Sequence, residues 1–150
     1  MIAEESVADL LQLMSAAEPG PAAGSAAALA AGLAAALLGK TARLSGEYLD
    51  DAGALATAAD TLREQAQQLA TDDAEGVRAM LSGDTDPTGQ PDPSATPRRI
   101  GELATDVARL ATHLATYANP TLIADAHTAG HLARAARAST EAIIRSNQGQ

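Results

Sequence analysis

Residues 21–39 read PAAGSAAALAAGLAAALLG, a stretch without a single charged side chain. Its length approaches that of a membrane span. It is mostly alanine and glycine with few leucines, however, too weakly hydrophobic to insert, so the expectation is a buried helix of a soluble bundle. Gly24 and Ser25 mark its start, and the pattern carries it to about residue 48. A helix apolar almost all round is normally central in its bundle, or covered on a second side by a partner subunit. Gly32 and Gly39, one heptad apart, would let another backbone come close.

The sequence on either side supports the same architecture. The chain has 150 residues, enough for one domain with one core. About a quarter of it is alanine; there is no Phe or Trp, and the aromatic residues are Tyr48 and Tyr117. Alanine favours helix and β-branched residues are scarce, so an all-α fold is expected over residues 1–150, with no internal repeat and no domain boundary. Ser6 and Asp9 form a capping box opening a short helix to about residue 17, with Val7, Leu10, Leu11 and Met14 on its apolar stripe. Pro19, Gly20 and Pro21 end it. Asp50 or Asp51 caps a long third helix to residue 81, with Leu55, Leu62, Leu69 and Val77 inward. Residues 82–96, SGDTDPTGQPDPSAT, lack apolar periodicity and read as a long surface loop. Thr96 followed by Pro97 signals a fourth helix to about residue 117, with Ile100, Leu103, Val107, Leu110 and Leu114 inward. Asn119 followed by Pro120 repeats the signal for a fifth helix ending near residue 147.

Composition narrows the function. A formal net charge of −9, with only 10 Lys and Arg, repels a polyphosphate backbone and disfavours nucleic-acid binding. Zero cysteines exclude disulfides, thiolate metal sites and cysteine nucleophiles, and fit a reducing cytoplasm. Glu4, Glu5 and Asp9 give the N-terminal stretch the wrong charge for a signal or transit peptide.

The residues also resemble a family. Pro21, Ala22, Ala23, Gly24 and Ser25, followed by AAALAAGLAAALL, are similar to the PGGGS-AAALAGALAAALL opening of the cyclodeaminase/cyclohydrolase family. That family comprises the cyclodeaminase domain of formiminotransferase-cyclodeaminase and bacterial methenyltetrahydrofolate cyclohydrolases. Asp73, Ala74 and Glu75 resemble its DAxAF stretch, and Asn119-Pro120 stands where the family has NPN. Asp125 stands at its Ser-Asp pair, LARAA at residues 132–136 matches its LARAA run, and Arg145 and Asn147 match its RIN. The resemblance implies a helical bundle that pairs as a homodimer along long helices. It implies a tetrahydrofolate derivative as substrate, with no tightly bound cofactor. Either formimino-tetrahydrofolate cyclises and loses ammonia, or methenyl-tetrahydrofolate takes up water to give 10-formyl-tetrahydrofolate.

Departures from the pattern stand beside these matches. The family's Gly-Gly is Ala22-Ala23, which disfavours a positive φ there. Its lysine after the second helix has no counterpart in residues 44–48, its NPN ends in Thr121, and its Ser before the Asp is Ala124. Ile143 replaces an Asn, and the segment before Pro97 is shortened. These losses leave a non-catalytic helical dimer, acting as a binding or scaffolding subunit, as the alternative reading.

Candidate site residues follow. Asp125, one turn into the fifth helix, is the candidate catalytic group, placed to handle protons in amine loss or water addition. Gly24 and Ser25 can present backbone N–H groups and a hydroxyl to an anionic or carbonyl-bearing ligand. Asn119 is an N-cap that could also touch ligand. Arg98 and Arg99 open the fourth helix against its dipole, and a folate glutamate tail or the acidic residues 84–92 would compensate them. His127 and His131 have i, i+4 spacing, but Thr128 replaces the Glu of HExxH, so no metal site is assigned. Asp72, Asp73 and Glu75 read as solvated acidic surface with a secondary acid/base role as the alternative.

Overall fold

The computed structural model describes residues 2–82 and 92–149. Five α-helices form, α1 (Val7–Ser15), α2 (Ala23–Arg43), α3 (Ala52–Ser82), α4 (Ala95–Tyr117) and α5 (Ile123–Gln148), with short 3-10 turns at Ile2–Glu4 and Pro120–Leu122. Most of the expected loop, residues 83–91, lies outside the described residues.

The last four helices make an antiparallel bundle. Gly39 lies by Ala59, Gly32 by Ala66 and Gly24 by Asp73, so α2 and α3 run in opposite directions. Gly101 meets Thr140 and Gly130 meets Ala111, which sets α4 against α5 in the same way. Arg99 reaches Asp72, and Asn119 bonds Ser45. One end of the bundle therefore gathers the start of α2, the later half of α3 and the start of α4. The other end gathers the close of α2 and the start of α5. Helix α2 packs on α3, α4 and α5 and holds the buried core of Ala27, Ala28, Ala31, Ala34, Ala35 and Leu38. It is long and apolar enough to cross a membrane by length and composition, yet half of its apolar window is buried inside the bundle.

Small side chains set the packing. On α3 the inward positions are Ala56, Ala59, Ala66, Leu69, Ala70 and Ala74, while Leu55, Leu62 and Val77 are only half-buried. Leu69 is inward as expected, while the rest of that stripe flanks the contact, which is made mainly by alanines. A Cβ at Gly32 would stand 3.3 Å from that of Ala66, so the two backbones lie as close as the paired glycines suggested. On α4, Ile100, Leu103, Val107 and Leu114 are buried and Leu110 is half-buried.

Helix ends differ from the expected bounds for local reasons. Helix α2 stops at Arg43, short of residue 48, where Thr41 and Ser45 hydroxyls donate back to the carbonyls of Leu37 and Thr41. Ser45 Oγ also accepts the Asn119 N–H, which ties the chain beyond α2 to the approach to α5. Helix α4 begins at Ala95, not at a Thr96 cap: the Asp92 carboxylate accepts from Ser94 N–H at 2.8 Å, and Pro97 falls in the first turn, where no N–H is required. Asn119 caps the 3-10 turn, accepting from Thr121 N–H at 3.0 Å, and α5 follows it. Helix α1 keeps its Ser6–Asp9 cap but buries no residue, leaving Val7 and Leu11 exposed.

Candidate functional site at the start of helix α2

The start of α2 has no cap of its own: Ala22, extended with φ −131°, offers no side-chain acceptor. Asp73 supplies one from α3. Its Oδ2 accepts from the Ser25 N–H and from the Ser25 hydroxyl, both at 2.7 Å. An anion at that position is favoured by the free N–H groups and the dipole of the helix. Ser25 is fully buried beneath it. Gly24 is what allows the approach, since a Cβ there would lie 2.0 Å from Asp73 Oδ1. Oδ1 itself takes no hydrogen bond from the described residues. Gly24 and Ser25 thus hold a carboxylate, as their helix-start position suggested, but that carboxylate belongs to the protein.

Arg98 and Arg99 sit near the same end. Arg99 reaches the Asp72 carboxylate at 3.5 Å, and Arg98 is paired with Asp92. Asp92 is held below the usual carboxylate range, first by the Ser94 N–H it accepts and then by Arg98. The acidic-loop partner expected for these arginines is met for Arg98; residues 84–91 lie outside the described residues. A shallow groove of about 330 Å³ between α4 and α5 is lined by Arg98, Glu102, Arg137, Thr140 and Glu141.

Asp125 and Asn119 occupy the opposite end. Asp125, a third exposed, lies 3.4 Å from the Lys40 ammonium in the last turn of α2. Fifteen residues of helix separate Ser25 from Lys40, roughly 22 Å at 1.5 Å per residue. Within one subunit the structure does not bring Asp125 to Gly24 and Ser25. Asn119 spends its groups on the fold: its N–H donates to Ser45 Oγ at 3.0 Å and its amide to the Leu44 carbonyl at 3.3 Å.

The histidines stay apart. His131 Nδ1 contacts Arg134 Nη2 at 3.0 Å, while His113 leans on Tyr117 with ring centroids 5.1 Å apart. Among the described residues no group of three metal-ligating side chains forms. The residue that organises the site, Asp73, was visible in the sequence only as one member of an acidic run. Its pairing with Ser25 spans 48 positions and depends on the antiparallel turn between α2 and α3. Lys40 was hidden by its place at the edge of an apolar helix.

An antiparallel all-α bundle with a carboxylate clasped at a glycine-serine helix start defines the class of protein. The sequence profile of formiminotransferase-cyclodeaminase matches residues 6–92, more than half of the chain, and the chain belongs to that family. The resemblance read from the motifs is thereby confirmed. Among solved structures, formiminotetrahydrofolate cyclodeaminase from Thermotoga maritima superposes with a TM-score of 0.90 at 18% identity, over 99% of this chain and 81% of that one. At that identity the likeness speaks for the fold, and it extends through α4 and α5, beyond the profile match. No curated protein sequence matches the chain.

Proposed function

We propose that the chain is a cytoplasmic enzyme of reduced-folate one-carbon chemistry, a cyclodeaminase or cyclohydrolase working as a homodimer. The observation that carries this reading is the Asp73 carboxylate at the start of α2, with Oδ2 fixed by two donors and Oδ1 taking no hydrogen bond from the described residues. Held in one orientation, a carboxylate can take the proton of the attacking nitrogen and return it to the departing ammonia, or take one from attacking water, typically worth 10²–10⁴ in rate. Gly24 and Ser25 position it rather than touching the folate directly. Arg99 and Arg98, near the same end, are the groups placed to meet the folate's glutamate carboxylate, by exchanging their present acidic partners. Asp125 and Asn119 contribute only if a second subunit reverses the direction of α2.

The non-catalytic reading has one observation in its favour: Asp73 already fills the helix start where a ligand anion would otherwise lie. Methenyl-tetrahydrofolate absorbs in the near ultraviolet, which separates the two. Repeated turnover with loss of that absorbance is the enzyme's result. Binding at one equivalent per site with the absorbance retained is the result for a binding subunit and overturns the enzyme.

A further inference from the structure

Helices α4 and α5 pack through small residues, and a second hollow stays open between them. Ala104 and Ala133 are buried at its base, with Ala108 half-buried beside them. Their short side chains leave a volume of about 290 Å³ above the helix contact. That is the small end for ligand clefts, which run roughly 300–1,000 Å³. The walls carry Arg109 from α4 with Arg134 and Arg137 from α5, and no carboxylate stands among the described residues lining it. The chain has only 10 Lys and Arg against 19 Asp and Glu, so three guanidiniums around one hollow run against its overall charge. Arg134 and Arg137, three positions apart, share a face of α5, where like charges repel.

Each arginine is tethered from one side only. Arg109 Nη1 reaches Asp106 at 3.0 Å and Arg137 Nε reaches Glu141 at 3.1 Å, with both acids outside the hollow. Arg134 pairs with no carboxylate among the described residues; its Nη2 lies 3.0 Å from His131 Nδ1. A guanidinium only donates, so His131 accepts there and carries its own proton on Nε2. Gly130 leaves Arg134 its place, since a Cβ there would stand 3.2 Å from Nη1. The other N–H groups of the three guanidiniums meet no acceptor among the described residues.

Three cations from two helices, each with donors to spare, match a phosphoryl group, which presents three equivalent oxygens where a carboxylate presents two. The alanine floor suits an apolar body attached to that group. A nucleic-acid backbone is repelled by the formal net charge of −9.

We propose that the hollow at Arg109, Arg134 and Arg137 is a further binding site, for the phosphate monoester of a small apolar molecule. It is separate from the Asp73 site. Arg99, which reaches Asp72, stands ten residues before Arg109 on α4, about 15 Å along the helix. The inference does not depend on folate chemistry.

Titration of isotope-labelled protein with inorganic phosphate and with phenyl phosphate, at fixed pH and ionic strength, tests this at the arginine Nε–H resonances. Those of Arg109, Arg134 and Arg137 should follow one saturating curve, while those of Arg43 and Arg63, which pair with Asp60, stay in place. Phenyl phosphate should bind several-fold tighter than inorganic phosphate, because its ring covers the alanines. Arg134→Gln, at an exposed helix position where glutamine keeps the helix, should weaken both ligands about tenfold or more. Shifts that never saturate, or that spread evenly over all the arginines, mark an ion atmosphere only and overturn the site. An Arg134→Gln protein that binds as tightly as the wild type overturns it as well. Benzoate binding as tightly as phenyl phosphate overturns the assignment to a phosphoryl group.

Discussion

At the scale of single residues, the structure turns on Gly24, Ser25 and Asp73. In the Gly24→Ala protein the new Cβ would sit 2.0 Å from Asp73 Oδ1, so the carboxylate must leave its donors. The buried Ser25 N–H and hydroxyl then lose their acceptor, at a cost of about 1–3 kcal/mol. Chemical denaturation should show that loss. Adding Asp73→Ala to Gly24→Ala should cost little more, because both remove one interaction. A second residue-scale prediction concerns acid. The folded state depresses the Asp92 carboxyl, so its contribution is complete above the ordinary carboxylate range and is lost as pH falls through the lowered value. NMR titration of Asp92 should place its midpoint below that of an unpaired aspartate. In the Ser94→Pro protein, which lacks the N–H that Asp92 accepts, the midpoint should move upward. An unmoved midpoint would assign the depression to Arg98 alone.

At the scale of elements, the helices were legible because their signals are local. The uncharged 21–39 run, the Ser6–Asp9 box and the Asn119-Pro120 start each lie within a few positions of what they determine. What escaped the sequence was the side from which each contact is made. Periodicity put Leu55 and Leu62 inward, but the close approach of α2 and α3 leaves room only for Ala59 and Ala66. The end of α2 escaped for a similar reason. Ser45 was read as part of the helix, whereas its hydroxyl donates to the Thr41 carbonyl at 2.7 Å and accepts the Asn119 N–H at 3.0 Å. That buried hydroxyl ties the close of α2 to the approach to α5. Ser45→Ala leaves both partners unsatisfied and should destabilise the bundle by about 1–3 kcal/mol, measured by denaturant unfolding. A loss near zero would mean that Asn119 finds another acceptor at once.

At the scale of the whole molecule, the order of motifs along the chain identified the family but could not say which motifs meet. The Gly24–Ser25 start and Asp125 were both candidate site residues, and an antiparallel bundle sets them at opposite ends of α2. Asp73, read as ordinary acidic surface, holds the place expected for a ligand. Both outcomes follow from topology rather than from composition, because neither the length of α3 nor its direction is written into the residues that carry the chemistry. The central claim is that this fold still performs folate chemistry at the Asp73 carboxylate. Steady-state turnover of formimino- and methenyl-tetrahydrofolate by the wild-type and Asp73→Asn proteins tests it most directly. The account predicts multiple turnovers of one of them by the wild type and a loss of roughly 10²-fold or more in Asp73→Asn. No turnover of either folate, or an Asp73→Asn protein as fast as the wild type, would contradict it.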